Sequence, residues 1–513
     1  MARRQPNVIF IMTDEENLRA LSCYRGSVSQ TPTVDRMARE GVLYERAYCV
    51  YPVCMPSRAA CMTGRYPHVN GVRSNGISLP RRELHLPGLL KMAGYRTALF
   101  GKDHCFRPQG EASAFDERVT AMHFGLHEVP DDFGALAREA TEYHYNLRDQ
   151  VSCAFGQAVL PYPPEVCDEG LITEAALRFI DRIGAQPFFM WLSYPGPHWP
   201  FTVPEAYEGV VAPEDVDLPP QDELGTKPLC QRVTRKVLGF DAATEADWRR
   251  VISLYYGHCR YIDDMIGRVF ERLDRAGLGE DTIVIFTSDH GDYLGEHGLL
   301  HKSNTMYDAL TRIPYVWWWP GRFPAGARTD ALTENVDLLP TVLDLCGAQT
   351  PPGVQGLSHA RALLGEEDYP AREACFSEAG TEVRPHRPKS LDDLEALSNP
   401  FENWRRVTAE GYWGGRVKMV RTDRWKYVWY DTGEAELYDM DADPWELRNL
   451  APVPGHEEIV AEHKDRLLNW CVASEDAMPP LGKDQKARFK PLYERWIASG
   501  LPDPYYWGDV PKA

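Results

Sequence analysis

The chain is predicted to be an α/β protein, with a large, mainly parallel sheet sandwiched by helices and a smaller C-terminal α+β subdomain containing an antiparallel sheet. Three observations carry that reading. Short continuous apolar runs recur at Val8–Met12, Thr97–Phe100, Phe188–Tyr194, Thr282–Thr287 and Tyr315–Trp319, and such runs suit strands covered on both faces. Helical patterns alternate with them, the signature of a parallel sheet with crossover helices. Past residue 370 or so the pattern turns to alternating strands joined by a hairpin signal.

Each element has a local reason. Val8–Met12 ends in Thr13-Asp14-Glu15-Glu16. It is too short for the apolar core of a signal peptide, so it reads as a buried strand and the protein as cytoplasmic. Thr33–Glu40 reads as a helix with Thr33 as its cap. Leu86–Ala93 reads as a helix stopped by Gly94. The stretch 105–180 is rich in Phe, His, Tyr and Pro and reads as long loops beside a site. Trp248–Ala276 carries Ile252, Tyr255, Cys259, Ile262 and Ile266 at helical spacing and closes at Gly277. Ser377–Trp413 is irregular. Arg416–Arg421 and Trp425–Tyr430 then form a hairpin through Thr422-Asp423-Arg424, followed by a strand at Glu436–Asp439 and a helix at His456–Ala473. The expected division is a catalytic α/β domain over 1–370 and a C-terminal subdomain over 371–513. The aromatic tail Pro502–Trp507 suits a contact between copies in a homo-oligomer.

Composition excludes several classes. The 513 residues carry a net charge of −19 and a pI near 5.3, against binding to nucleic acid or an anionic membrane. No stretch approaches the ~20 apolar residues of a membrane span. The twelve cysteines are scattered without a Cys-x-x-Cys pair, which argues for reduced thiols and against a zinc site.

The chemistry concentrates in Cys54-Met55-Pro56-Ser57-Arg58, followed by Thr63-Gly64-Arg65. Pro56 suits a first helical turn. Arg58 lies one turn after Cys54, on the same face. Residue 54 then sits at a helix N-terminus, where free N–H groups favour an anion. Taken alone, Cys54 would be a buried structural thiol. Two acidic pairs sit at strand ends, Asp14-Glu15 after Val8–Met12 and Asp289-His290 after Thr282–Thr287. Adjacent side chains converge on one ion only where a strand has ended. Either pair alone would merely cap a turn; both together with an oxygen at residue 54 make a hard-cation site. Lys102, His104, His198 and Lys302 also lie just past strand ends or in connected loops. Lys102 and His104, two apart, share a side in extended backbone. As a set these cations would focus positive potential in an acidic protein.

Cys-x-Pro-Ser-Arg followed by Thr-Gly-Arg resembles the signature of the type I sulfatases of the alkaline phosphatase superfamily. The resemblance runs from Asn7 to Arg65, recurs at the strand-end residues, and includes Arg421–Tyr427 and Glu436–Asp439. It implies that Cys54 is oxidised to Cα-formylglycine by a formylglycine-generating enzyme and that its hydrate is the nucleophile. It implies one divalent metal on Asp14, Glu15, residue 54, Asp289 and His290, with Ca²⁺ the first choice and Mn²⁺ the next. Arg58 and Lys102 would stabilise the hydrate, and His104 would deprotonate it. His198 and Lys302 would bind the sulfate and assist the leaving oxygen, with His198 the expected acid, and Asn75 would touch the substrate. The implied reaction is hydrolysis of a small-molecule or sugar sulfate ester. The nearest alternative is a phosphonate monoester hydrolase or phosphodiesterase using the same site. A second is a non-catalytic relative with unmodified Cys54.

Overall fold

In a computed structural model, residues 5–498 are described apart from 26–27, 29, 81–82, 107–113, 149, 153, 223, 367–370, 381–414 and 477–482. The main sheet has nine strands: β1 (Asn7–Asp14), β2 (Val42–Tyr44), β3 (Arg96–Gly101), β4 (Glu117–Met122), β5 (Gly125–Leu126), β6 (Phe188–Pro197), β7 (Thr282–Ser288), β8 (Tyr315–Trp318) and β9 (Ala327–Thr329). Their order is β9-β2-β8-β7-β1-β6-β3-β4-β5. The centre, from β7 through β1, β6 and β3 to β4, is parallel. β8 runs antiparallel to both β7 and β2.

Both faces of the central strands are covered, as their apolar runs require. Val8, Phe10 and Met12 point into one core with Leu86, Leu89 and Leu338. Ile9 and Ile11 point into the other, with Ile172, Phe179, Ile262 and Ile266. Each fully buried side chain of this kind contributes about 1.5–3 kcal/mol. The covering helices are α1 (Pro32–Glu40), α2 (Cys54–Thr63), α3 (Leu86–Met92), α4 (Ala135–Leu147), α5 (Asp168–Arg182), α6 (Glu245–Ala276) and α7 (Leu338–Leu345).

Three local expectations change. Thr31, not Thr33, is the N-cap residue of α1; the backbone N–H groups of Thr33 and Val34 donate instead to Asp263 of α6. Helix α6 begins at Glu245, because Thr244 and Asp247 form a capping box. The stretch 105–180 is not mainly loop: α4 and α5 lie within it, and α5 buries Leu171, Ile172, Phe179 and Ile180 against the sheet. The aromatic and proline content of its flanks masks that periodicity.

Past residue 370, β10 (Cys375–Ala379), β11 (Val417–Arg421), β12 (Trp425–Tyr430) and β13 (Ala435–Asp439) form an antiparallel sheet in chain order. Ser377–Ala379 thus belong to a strand, and 381–413 of the expected irregular run lie outside the described residues. This sheet packs behind the segment leading into α2: Tyr51 and Val53 share a core with Cys375, Met419 and Val428. Buried Lys426 pairs with Asp308 at 2.9 Å and Glu446 at 2.7 Å. Helices α8 (Glu457–Ser474) and α9 (Lys483–Ala498) follow. Helix α9 returns to the main core, where Trp496 packs edge-on against His85. The tail Pro502–Trp507 lies outside the described residues. Every described cysteine is a free thiol. No described helix is long and apolar enough to cross a membrane.

His85 illustrates how this packing acts on charge. It caps α3, accepting the Gly88 N–H at Nδ1 over 3.1 Å. Burial, with no acidic partner to offset it, pushes its pKa down to about 3 from an ordinary 6.5. Below pH 6.5 the unfolded chain takes up a proton that the folded protein refuses. Stability therefore falls with pH, by at most ~1.4 kcal/mol per pH unit, until the folded-state pKa is reached. His85→Asn keeps a capping acceptor and removes the titration. Urea unfolding between pH 6.5 and 3 is expected to show a shallower loss of stability in that variant than in the parent.

Candidate active site

The site forms where the parallel strands end together. Register places Thr13 beside Ser288 and Gly101 beside Ser193, so Asp14, Asp289 and Lys102 leave the sheet along one edge. Gly101 is required there: its φ is +107°, and a Cβ would lie 1.8 Å from the Ser193 carbonyl oxygen. Helix α2 delivers Cys54 to the same edge. All ten of its residues are buried, and Gly64 closes it in the left-handed conformation. Val53 supplies no side-chain cap; Asn75 replaces one, its Oδ1 accepting the Met55 N–H at 3.0 Å. The structure thus engages Asn75, expected to touch substrate, in holding the helix that carries residue 54.

Arg58 is the hub. It is fully buried, and its guanidinium donates to Asp289 Oδ2 (2.7 Å), Asp14 Oδ2 (2.8 Å), Ser193 Oγ (2.7 Å) and the Lys102 carbonyl (2.9 Å). These bonds join four strand ends to one helix. Four of its five N–H donors are committed to the two carboxylates and the scaffold. Burial opposes its charge, but Asp289 and Asp14 hold the guanidinium above its ordinary value.

Asp14, Cys54, Asp289 and His290 each place a ligand atom within 4.8 Å of the others. Cys54 Sγ lies 3.4 Å from His290 Nε2 and 3.6 Å from Asp14 Oδ1. Burial pushes Asp14 up, yet Lys102 and Arg58 overcome it and hold the carboxyl well below the usual range. Burial and Asp14 push the Cys54 thiol up to about 12, so the unmodified side chain is a thiol and a poor nucleophile.

Glu15 stands outside that group of four. Its Oε2 takes Lys302 Nζ at 2.9 Å and lies 3.1 Å from His198 Nε2. Its Oε1 is buried without a hydrogen-bond partner among the described residues, and its backbone, at φ +66°, donates to Asp289 Oδ1. Burial raises its pKa against the pull of Lys302. Converging carboxylates, an imidazole and an orphaned buried oxygen beside them suit a hard divalent cation.

The cationic residues gather against the same carboxylates. Lys102 Nζ donates to Asp14 and, at 3.0 Å, to His123 Nε2. Lys302 Nζ lies 3.0 Å from His198 Nε2. The His198 Nδ1–H meets the Trp199 carbonyl, so Nε2 is an acceptor for the Lys302 ammonium. Burial, His123 and Lys302 hold His198 well below its ordinary pKa. His104 is not in extended backbone with Lys102. Its φ is +47°, and its ring meets the edge of His123 at 5.8 Å. Burial and Lys102 hold it well below its ordinary pKa.

His123 escaped the sequence reading. It stacks on His198 with ring centres 3.6 Å apart. It lies in Met122-His123-Phe124-Gly125, just past a strand end like the other site residues, and that position was the available signal. Asp14, His123 and His198 also bring ligand atoms together, but the ammonium groups of Lys102 and Lys302 already supply the positive charge there.

The sulfatase family profile matches residues 6–348. The N-acetylglucosamine-6-O-sulfatase of Bacteroides thetaiotaomicron is 28% identical over 87% of this chain and 83% of its own length. The multifunctional alkaline phosphatase superfamily protein PehA of Trinickia caryophylli is 28% identical over 87% of this chain and 90% of its own. Two solved structures share the fold at 24% identity and a TM-score of 0.72. One is a complex with the substrate D-glucosamine-2-N,6-O-disulfate, covering 92% of this chain and 98% of its own. The other is the phosphonate monoester hydrolase of Agrobacterium radiobacter, covering 92% and 96%.

Replacing Arg58 tests the hub. Arg58→Lys keeps one charge but cannot reach both carboxylates, and a loss of about 3 kcal/mol is expected in urea unfolding. Arg58→Met is expected to lose more, since two buried carboxylates remain unpaired. The chain belongs to the type I sulfatase family of the alkaline phosphatase superfamily and is an enzyme of the sulfuric ester hydrolase class.

Proposed function

We propose that the chain hydrolyses a sulfate monoester to an alcohol and inorganic sulfate, using residue 54 as a Cα-formylglycine. The observation that carries this is the seating of Cys54 beside Asp14, Asp289 and His290, within the field of the Lys102 and Lys302 ammonium groups. A divalent cation is the expected cofactor, held by Asp14, Asp289, His290 and residue 54, with Glu15 Oε1 the adjoining unsatisfied oxygen. Ca²⁺ suits the oxygen-rich set and Mn²⁺ the imidazole. When bound, it would supply Lewis acidity that lowers the pKa of an oxygen on residue 54. The hydrated aldehyde would supply one hydroxyl to attack sulfur and a second to expel sulfate, which a thiol or serine lacks.

The chain's own groups take the remaining roles. Arg58 fixes Asp14 and Asp289 so that the pocket is formed before substrate arrives. Lys102 and Lys302 carry the donors for the equatorial sulfate oxygens. Lys302 also offers a proton donor for the leaving oxygen. His198 orients that ammonium through Nε2, and its Nδ1–H is retained by Trp199. His104, neutral and with Nδ1 unpartnered among the described residues, is available to accept a proton from residue 54. The net charge of −19 suits a single focused anion site rather than an anionic polymer. The names of relatives favour a sugar sulfate as substrate.

The mass of the tryptic peptide Ala47–Arg58 tests the nucleophile. An aldehyde at residue 54, lighter than a thiol and reactive with hydrazides, is expected. A fully active enzyme with an intact thiol would overturn the reading. Chelation is expected to abolish turnover, restored by Ca²⁺ or Mn²⁺. Rates on an aryl sulfate and a phosphonate monoester, compared side by side, decide between the sulfatase and the phosphonate hydrolase; a large preference for the phosphonate favours the latter.

A further inference from the structure

His123 makes two kinds of contact and leaves one atom without any. Its Nε2 lies 3.0 Å from Lys102 Nζ. An ammonium group only donates, so Nε2 is an acceptor and the ring proton sits on Nδ1. Nδ1 is buried and has no hydrogen-bond partner among the described residues. An orphaned donor of this kind costs about 1–3 kcal/mol. His123 is also half-buried and forms part of the wall of a cavity of about 560 Å³ beside the site. That cavity lies between the β4–β5 hairpin and α4. Met122, Phe124, Leu126 and Tyr145 give it apolar and aromatic surface, and Arg138 and Glu142 give it charged groups.

The volume suits a sugar-sized ring. The mixture of aromatic faces and polar groups suits a ring that is apolar on its faces and hydroxylated at its edge. A plain aryl ring would leave the Nδ1 donor unsatisfied, because it brings no acceptor.

We propose that His123 is a specificity-determining residue: with Nε2 held by Lys102, its Nδ1–H donates to a hydroxyl or ring oxygen of the leaving alcohol, a polyhydroxylated ring seated in the cavity between the β4–β5 hairpin and α4. The assignment rests on the sulfate-ester reading above. It places the sulfate among Lys102, Lys302 and residue 54 and the alcohol on the far side of His123. The imidazole would then couple the two halves of the substrate, Nε2 through Lys102 and Nδ1 through the alcohol.

Asparagine and glutamine separate the roles of the two nitrogens. An asparagine amide overlays Nδ1, and a glutamine amide overlays Nε2. The full-length enzyme is assayed on a panel of monosaccharide sulfates that includes N-acetylglucosamine-6-sulfate, and on 4-nitrophenyl sulfate. The readout is the ratio of kcat/KM on the best sugar sulfate to kcat/KM on the aryl sulfate. His123→Gln is expected to lower that ratio about five- to tenfold, the worth of one neutral hydrogen bond. His123→Asn is expected to hold it within about twofold by the same measure. Tyr145→Ala, at an exposed position, is expected to raise KM for the sugar sulfate several-fold with little change in kcat, and this arm stands even where a His123 variant folds poorly. Equal loss of the ratio in both His123 variants, or a ratio retained in His123→Gln, would overturn the proposal. Turnover of the aryl sulfate with no turnover of any sugar sulfate would overturn it too, while leaving the sulfatase reading intact. Turnover of neither class by the parent enzyme would overturn both.

Discussion

The structure depends on one buried guanidinium. Asp14 and Asp289 end adjacent parallel strands, and both carboxylates lie in the interior. Without a cation between them they would repel each other and pay the full cost of burial. Arg58 meets both within 2.8 Å and ties them to Ser193 and the Lys102 carbonyl. Because Arg58 and Cys54 share one helix, the same bonds that stabilise the acids also set the position of residue 54. The acidic pocket and the nucleophile position are therefore one mechanical unit.

Charge in that unit is paired. Lys102 meets the Asp14 carboxylate and Lys302 the Glu15 carboxylate, beside residue 54. The histidines between them stay neutral, because burial and the neighbouring ammonium groups both disfavour a further positive charge. Neutral rings can orient the lysines through ring nitrogens without adding repulsion. An acidic protein thus gathers two buried ammonium groups at one site, where their charge is focused.

The C-terminal sheet supports this arrangement from behind. Its core includes Tyr51 and Val53, immediately before Cys54, and the Glu378 N–H donates to the Val50 carbonyl. Lys426, buried between Asp308 and Glu446, fastens the sheet to the main domain. The helix at Lys483–Ala498 then returns Trp496 to the core beneath α3. The chain past 371 buttresses the segment that enters the site.

The central strands, the long helix, the C-terminal hairpin and most of the site were legible in the sequence. Each rests on a local signal: continuous apolar runs for two-sided burial, helical spacing for α6, and adjacent polar residues at strand ends. The motif around Cys54 marked the chemistry, because its residue types are needed at fixed spacing on one helix. What the tertiary structure alone decided was how the polar groups are shared. Arg58 could be placed beside Cys54 from spacing, but its commitment to Asp14 and Asp289 depends on the register of strands some 275 residues apart in sequence (Asn7 beside Thr282). Asn75 carries no local mark of a helix cap, since the α2 end it serves is 20 residues away. His104 left the extended path, and His123 entered the site, through turns that no periodicity announces. Sequence specifies which groups a short segment offers; only packing decides which partner each buried group has left after its neighbours are satisfied.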